Sequence, residues 1–243
     1  MDKEIITKIL DDNKELLSLP QTLAEVIRVT KEDNFSAHQL AEVLMRDPAL
    51  TAKVLRIVNS PFYGMTREVT SMTQAVVTLG TRQVTALALS SSVYNITAKW
   101  GSFIDRVRFW RHSLEVAIGA RMIAETIGYR SWEELFVAGL LHDIGMLVLE
   151  NSYPDMCQRI WGDVDPNDSV IDQEEEVWGT NHARVGQFLL EQWQLPAVIC
   201  EAVGRHHAIY PKGSDNPDNI PMQVVTLANL ISRFSIIRTR PRD

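Results

Sequence analysis

The feature that most constrains the fold of this chain is the spacing of its apolar residues, which follows helical periods almost from end to end. Residues 21–30, for example, place apolar side chains at the spacing of one helical face. Ser36 stands three residues before Gln39, as in a capping box, and Asp47 precedes Pro48 as in a capped helix start. Alternating patterns typical of half-buried strands are nearly missing. The sequence therefore predicts an all-α fold.

The length and composition suit two helical lobes. A chain of 243 residues with 45% hydrophobic and 23% charged residues can bury a sizeable core. The Trp100-Gly101 pair resembles a junction between two helical regions. We predict an N-terminal helical lobe over residues 1–99 and a second helical lobe over residues 100–243, so that the fold is a two-lobed helical bundle. Within the second lobe, one continuous helix is predicted from Ser131 to Leu149.

Charge and hydropathy exclude several classes of function. The formal net charge of −7 argues against broad nucleic-acid binding, which needs Lys and Arg to neutralise phosphates. The N-terminus is charged from its second residue and has no apolar signal core. The most apolar long stretch, residues 135–149, is interrupted by His142 and Asp143 and falls short of the ~20 apolar residues of a membrane span. With only two cysteines, we expect a cytoplasmic protein without disulfides or cysteine-ligated zinc.

Histidines are the main candidates for chemistry in this chain. There are six, and five lie beyond residue 110: His38, His112, His142, His182, His206 and His207. A metal site here must use His, Asp, Glu or Asn ligands, because the cysteines are too few for a thiolate site. His38 lies just inside a predicted helix of the first lobe, and we interpret it as a surface or capping residue.

The His142-Asp143 pair interrupts the apolar run at residues 139–149. An imidazole and a carboxylate are costly to bury without partners. A shared cation would satisfy both, and so would a hydrogen-bonded pair at a helix N-terminus; the dipeptide alone leaves the two explanations equal. The other histidines favour the metal, because five histidines flanked by apolar core on several helices are less easily explained as satisfied core residues.

Other residues could complete such a site. His182 precedes Gly186 by one helical turn, so that the small glycine would let a neighbouring helix approach closely. Asn229 is polar within an apolar helix and could offer its carbonyl oxygen as a ligand. His206 and His207 end a predicted helix, on which adjacent side chains point about 100° apart. We therefore expect these two rings to contact different partners.

The order of these residues resembles the HD superfamily of metal-dependent phosphohydrolases. More closely, the chain resembles an HDOD domain, the HD-related output domain of bacterial signalling proteins. The resemblance runs from about residue 16 to about residue 235 and rests on separated motifs in order. The matching segments are Leu19-Pro20, Asp47–Tyr63, Ala75–Gly80, Phe109–Ser113, Phe136–Gly145 and Trp193–Pro196.

The resemblance implies a set of metal ligands. The HD superfamily pattern corresponds here to His112, His142, Asp143 and Asn229, although the family has aspartate at the last position. Asparagine there removes one negative charge and weakens a site for a hard cation. In the HD-GYP relatives, which cleave a cyclic dinucleotide, further histidines hold a second metal. The matching residues of this chain are His182, His206 and His207, with Asp143 bridging the two metals.

Two departures from the HD-GYP pattern concern the handling of substrate. Those relatives usually have Lys four positions after the His of the pair, where this chain has Met146. They also follow the double His with Gly-Tyr-Pro, whereas residues 206–211 read His-His-Ala-Ile-Tyr-Pro. The resemblance therefore implies a retained scaffold for one or two divalent ions (Fe, Mn, Ni or Zn) without the usual substrate-handling groups.

Three functions remain open, and the first is favoured. The chain could be a non-catalytic regulatory module that binds a signalling protein partner, with or without a metal. It could be an active metal-dependent phosphohydrolase of the phosphodiesterase type, with Asp143 as bridging catalytic ligand and Arg108 or Arg111 contacting a nucleotide or other phosphate ligand. It could also be a purely structural interaction domain. The arginines from Arg233 to the C-terminus are interpreted as a solvated tail.

Overall fold

The structure of the chain is a computed structural model that describes residues 2–13, 20–30, 32, 35–98, 103–162, 169–208 and 216–238. Every regular element within these ranges is a helix, which confirms the predicted all-α fold. Two short 3-10 helices, Pro61–Tyr63 and Pro217–Asn219, accompany the α-helices. The α-helices are α1 (Asp2–Asp11), α2 (Gln21–Thr30), α3 (Ala37–Met45), α4 (Pro48–Val58), α5 (Met72–Leu79), α6 (Thr81–Thr97), α7 (Arg106–Thr126), α8 (Trp132–Leu141), α9 (Ile144–Ser152), α10 (Pro154–Trp161), α11 (Val170–Trp178), α12 (His182–Gln192), α13 (Ala197–Gly204) and α14 (Ile220–Arg238).

The chain divides into two compact units. One unit is Ser18–Lys99, and the other combines Met1–Leu17 with Trp100–Asp243. Helix α1 therefore packs with the second unit, on α9 and α12, and not in the N-terminal lobe at residues 1–99 where the sequence analysis placed it. The physical reason is its apolar face, which is buried in that unit through Ile6, Ile9 and Leu10.

The unit of residues 18–99 forms as its helix signals predict. Ser36 accepts a hydrogen bond from the Gln39 backbone N–H, and the Gln39 side chain accepts one from the Ser36 N–H, so the capping box is complete. Asp47 caps α4 by accepting from the Leu50 N–H at 3.0 Å. Helix α3 packs on α5, and α4 packs on α6. The core between these helices is apolar, with Leu23, Leu40, Leu44, Val54 and Val84 fully buried.

In the second unit, glycines let helices cross closely. A Cβ on Gly139 of α8 would lie 2.8 Å from the Ala117 Cα of α7. A Cβ on Gly145 of α9 would overlap the His182 carbonyl oxygen of α12 and lie 2.8 Å from the Gly186 nitrogen. Gly186 thus allows another helix to approach closely, as its spacing from His182 in the sequence predicted. Both crossings bring histidine-bearing helices next to the turn between α8 and α9.

The apolar stretch at residues 132–152 is two helices, not the single helix predicted from Ser131 to Leu149. Helix α8 ends at Leu141 and α9 starts at Ile144, with His142 and Asp143 in the turn between them. By length and composition alone, Trp132–Ser152 passes as a candidate membrane span, with a mean hydropathy of 1.3 over an 18-residue window, but 83% of that window is buried inside the fold. The break lets His142 and Asp143 point toward other helices of the unit instead of following a regular helical register.

Candidate metal centre

Asp143 is the centre of a group of buried histidines. Its Oδ2 atom lies 3.0 Å from His142 Nε2 and 3.6 Å from His112 Nε2. Its Oδ1 atom lies 3.2 Å from His206 Nε2 and 3.4 Å from His182 Nε2. The two oxygens of one carboxylate therefore face two different pairs of imidazoles. We call Asp143 and its five surrounding histidines the Asp143 group; its members are His112, His142, Asp143, His182, His206 and His207.

His207 belongs to the group because its ring contacts the rings of His182 and His206. Its Nε2 lies 3.1 Å from His182 Nε2, and its ring centroid lies 4.1 Å from that of His206. His206 and His207 lie in the turn after α13. As the sequence analysis expected, the two rings contact different atoms, namely Asp143 Oδ1 and His182 Nε2. Both nevertheless belong to one potential ligand set, in which Asp143, His182, His206 and His207 place one donor atom each within 4.8 Å of one another.

The outer nitrogens of the histidines are held by acceptors outside the group. His142 Nδ1 donates to the Gly139 carbonyl at 2.8 Å, and His206 Nδ1 donates to the Val203 carbonyl at 2.6 Å. A proton on Nδ1 leaves the Nε2 lone pair directed at the centre, because a neutral imidazole carries only one N–H. Metal-ligating histidines are typically oriented in this way by partners beyond the metal ligands.

His112 and His182 are oriented by carboxylates, His112 through a serine hydroxyl and His182 directly. His112 Nδ1 donates to Ser232 Oγ at 2.9 Å, and that hydroxyl donates to Glu115 Oε2 at 2.8 Å. His182 Nδ1 lies 2.7 Å from Glu174 Oε2, and the same carboxylate oxygen accepts the His182 backbone N–H at 2.8 Å. These carboxylates make the rings more basic and therefore better ligands.

Burial and charge set opposite pKa shifts within the group. Burial alone disfavours a charged His182, but the charges of Glu174 and Asp143 and the hydrogen bond to Glu174 outweigh it and raise the His182 pKa to about 9. Burial lowers the pKa of His206 to about 4, and burial also lowers the pKa of His112. Although burial opposes its ionisation, the surrounding histidines hold the pKa of Asp143 well below its usual value. Asp143 is therefore a carboxylate at neutral pH, surrounded mostly by neutral rings.

The group fits a divalent cation on its own chemistry. Four buried polar atoms of this region have no hydrogen-bond partner: His142 Nε2, His206 Nε2, Asp143 Oδ1 and Asn229 Oδ1. Orphaned lone pairs are costly to bury, and a cation in contact with them would remove that cost. Imidazole and carboxylate donors suit Zn, Fe, Ni and Mn. Two ligand sets share Asp143, namely the set with His182, His206 and His207 and the set with His112 and His142.

The remaining residues predicted from the sequence are one buried asparagine and three exposed residues that each lie near a carboxylate. Asn229 is 2% exposed, on α14. Arg108 is exposed and lies 3.4 Å from Asp105, while Arg111 is exposed and lies 3.7 Å from Glu115. His38 is exposed on α3, 3.5 Å from Glu42, as expected for a surface residue.

The sequence analysis missed the residues that orient the histidines. Glu174 is fully buried, yet it begins a run of three glutamates that reads as a solvated helix face. Ser232 and Glu115 are separated by more than 100 residues and carry no motif. A detectable signal for Glu174 was its place in α11, four residues before the buried Trp178, which puts both on one helical face.

The fold and the site define an all-α protein of the HD type with a buried His/Asp group. The HDOD domain family matches residues 16–209, and the chain belongs to this family. A curated relative, an uncharacterized protein of Treponema pallidum, is 23% identical over 239 residues, which are 95% of this chain and 45% of the relative. The chain thus spans less than half the length of that curated relative.

Solved structures share the fold. A candidate phosphohydrolase from Shewanella amazonensis is 28% identical with a TM-score of 0.78, and the match covers 94% of this chain and 81% of that one. An HDOD domain protein of unknown function from Geobacter sulfurreducens is 26% identical with a TM-score of 0.72, covering 91% of this chain and 73% of that one. Both support an HD-like module of the HDOD family.

Proposed function

We propose that this chain is a regulatory HDOD module whose Asp143 group holds one or two divalent metal ions and which acts in the cytoplasm by binding a signalling protein partner. The observation that carries the proposal is the convergence of imidazole Nε2 atoms on the two oxygens of one buried carboxylate. Family membership supports the regulatory part, since the chain resembles the output domains of signalling proteins. Such a module would respond to its metal or ligand by changing how it binds its partner.

The proposed ligands divide between two positions. His112, His142 and Asp143 would hold one ion, with Asn229 as a neutral oxygen ligand. His182, His206 and His207 would hold the other, with Asp143 shared between the two. A bound ion would act as a Lewis acid toward an oxygen ligand. We expect the second position to bind its ion more tightly, because it has three imidazoles and the Glu174 carboxylate behind one of them.

Absence of turnover is part of the proposal. Met146 stands where HD-GYP enzymes usually carry a lysine, and its thioether cannot contact a phosphate as a cation would. Asn229 replaces an aspartate, so the ligand set has one negative charge fewer. The chain would therefore position a metal ion while lacking two charged side chains that its relatives usually carry.

The test is metal content followed by a search for turnover. Protein purified without added metal is analysed by plasma mass spectrometry, before and after incubation with Fe²⁺ or Mn²⁺. We expect close to one or two ions for each wild-type chain, and at least about tenfold weaker binding in Asp143→Ala, because the shared ligand is lost. Less than about a tenth of an ion per chain after incubation would refute the metal site and favour a structural interaction domain.

A metal-dependent phosphohydrolase is the second candidate function. The similar structure of the Shewanella amazonensis protein favours it, as do the paired ligand sets around Asp143. Here Asp143 would be the bridging ligand, and Arg108 or Arg111 would leave its carboxylate partner to contact phosphate. A panel of phosphodiesters and phosphomonoesters with Mn²⁺, Fe²⁺ or Ni²⁺ separates the two candidates. Turnover that Asp143→Ala abolishes would establish the enzyme; turnover that survives this substitution would come from a contaminant.

A further inference from the structure

Helices α7 and α14 pack side by side and run in opposite directions. His112, near the start of α7, contacts Ser232 of α14. Two turns further along α7, a Cβ on Gly119 would lie 3.3 Å from the Ala228 Cβ. Later residues of α7 therefore meet earlier residues of α14, so the two helices are antiparallel.

The two sides of this helix pair differ in burial. Ala120 and Asn229, which directly follow the residues in contact, are buried. Ile118 and Leu227 directly precede those residues, and in antiparallel helices this places both side chains on the opposite side of the pair. Ile118 is partly exposed and Leu227 is exposed. The pair therefore buries one side in its unit and turns the other to solvent.

The solvent side of the pair is apolar over several turns of both helices. Met122, Leu227, Leu230 and Ile231 are between 46% and 61% exposed. A contiguous exposed apolar patch is typical of a binding surface, whereas apolar side chains that are exposed singly need no partner. We call this surface the α7–α14 face; it consists of Leu114, Ile118, Met122, Leu227, Leu230 and Ile231.

Charged side chains of α7 are placed symmetrically about Ile118. Arg111 and Glu125 are exposed and stand seven residues before and after it, which is two turns or about 10 Å each way. Glu115 and Arg121 are partly exposed and stand three residues before and after it. At each distance from Ile118, the charge on one side is thus opposite to the charge on the other.

We propose that the α7–α14 face binds the same face of a second copy of this chain, about a two-fold axis that crosses both helices at the level of Ile118. The axis makes each α7 antiparallel to the partner's α7. Arg111 then faces the partner's Glu125, and Glu115 faces the partner's Arg121. A parallel arrangement would instead place like charges opposite each other, which disfavours association.

The same axis matches the apolar side chains of the face. Leu114 and Met122 lie one turn before and one turn after Ile118, so each faces the other across the axis. Leu227 and Ile231 of α14 lie on either side of that level in the same way, and the four helices would form an antiparallel bundle. This inference goes beyond the proposed function and does not depend on a bound metal.

The test is the molar mass of the full chain, measured by sedimentation over a range of concentrations. We expect a dimer with a Kd of about 10 µM or lower. Met122→Glu should raise that Kd by about tenfold or more, because it places a charge in the apolar centre, and Leu230→Glu on α14 should do the same. The matched control is Met156→Glu, at an exposed methionine of α10, which should leave the Kd within about twofold.

A charge exchange tests the antiparallel register. Arg111→Glu would face the partner's Glu125, and Glu125→Arg would face the partner's Arg111, so each change alone should raise the Kd by about threefold or more. The double variant restores opposite charges, and its Kd should return to within about twofold of wild type. The two positions are about 21 Å apart within one chain, so this rescue requires a second copy.

Three outcomes would overturn the inference. A wild-type chain that stays monomeric at every concentration would refute the dimer. Folded Met122→Glu and Leu230→Glu proteins with the wild-type Kd would show that the copies associate through another surface, and circular dichroism establishes that the variants are folded. A double charge variant that dimerises no better than either single variant would refute the antiparallel register about Ile118.

Discussion

The two units of this chain bury different kinds of polar side chain. Among the described residues of the 18–99 unit, the buried polar side chains are neutral: Gln83, Ser90, Ser91, Ser92 and Thr97. Among its own described residues, the other unit buries three carboxylates and three imidazoles, those of Asp143, Glu150, Glu174, His142, His182 and His206. The first unit is thus held by apolar contacts with little internal charge, whereas the second contains a charged interior.

The partners of the three carboxylates show what this difference means. Glu150 accepts the backbone N–H groups of Phe103 and Ile104 and pairs with Arg106 at 3.0 Å. Glu174 is paired with His182. Asp143, by contrast, faces rings that leave its Oδ1 unpartnered. Buried charge is costly unless it is paired, so among these three carboxylates it is Asp143 that has an energetic reason to bind an ion.

The first prediction has the largest expected effect and tests how closely the helices pack in the unit that contains the Asp143 group. Gly145→Ala would place a Cβ against the His182 carbonyl oxygen, on backbone that cannot move without separating α9 from α12. We expect a loss of about 4 kcal/mol or more in the free energy of unfolding, together with loss of metal binding. Urea unfolding followed by circular dichroism, with metal analysis, measures both.

A matched glycine in the same unit controls for the added methyl group. Gly119→Ala places its Cβ 3.3 Å from the Ala228 Cβ, a tight contact that a small shift can relieve. Since alanine is also the better helix former, we expect a change below about 1 kcal/mol. A Gly145→Ala protein as stable as Gly119→Ala would contradict the close crossing of α9 and α12.

The second prediction compares the same leucine-to-alanine substitution at one buried position in each unit. Leu44 and Leu141 are both almost fully buried, one in each unit. Substitution of either by Ala should lower the free energy of unfolding by about 2–5 kcal/mol. Only Leu141→Ala, next to His142, should also weaken metal binding, because its cavity lets the ligands move.

Tryptophan fluorescence sharpens this comparison. All six tryptophans lie within residues 100–243, so their fluorescence follows the second unit, while circular dichroism follows both. In Leu44→Ala, we expect dichroism to be lost at lower urea than tryptophan fluorescence changes. Metal binding weakened as much by Leu44→Ala as by Leu141→Ala would contradict the assignment of the site to one unit.

The third prediction concerns Glu174, which supports His182 from outside the ligand set. Glu174→Gln keeps the size of the side chain but removes its charge, so the ring of His182 becomes a weaker ligand. We expect metal affinity to fall by about 10–100-fold, the range for partners of ligating histidines. Competition with a metal-binding dye measures the change. Glu176→Gln, an exposed neighbour in the same acidic run, should leave affinity unaltered; equal losses in both variants would refute the role of Glu174.

The smallest effect is a pH dependence in the chelator-treated, metal-free protein. The His182 pKa rises from 6.5 to about 9 on folding, so its contribution to stability is full below pH 6.5 and is lost as pH rises toward 9. The His206 pKa falls from 6.5 to about 4, so stability is lost as pH falls between those values. Each proton adds a slope of at most about 1.4 kcal/mol per pH unit.

Measurement of the free energy of unfolding across pH 4–9 should therefore give a maximum near neutral pH. In Glu174→Gln the decline on the alkaline side should flatten, because the charge that raises the His182 pKa is gone. Leu44→Ala, in the other unit, should keep the wild-type pH profile at lower overall stability. A wild-type profile that is flat between pH 6.5 and 9 would show that His182 is not held protonated by Glu174.

Local helix chemistry was predictable because it depends on neighbours in the chain. The capping box at Ser36 and the cap at Asp47 form as the sequence predicts, since each satisfies backbone groups within four residues. The break between α8 and α9 was not predictable in the same way. His142 and Asp143 have helical neighbours on both sides, and what directs their side chains away from a regular helix is contact with α7, α12 and the turn after α13.

The sequence alone determined the all-helical class, the HDOD resemblance and the identities of the donor residues, because residue types and periodic spacing are local properties. Only the tertiary structure decided that five histidines from distant segments meet at one carboxylate, that Glu174 is buried while Glu176 is exposed, and that α1 packs with the second unit. Those features depend on which helices cross and how closely. The crossings are set by side-chain volume and by glycines such as Gly145, whose effect appears only when the neighbouring backbone is in place.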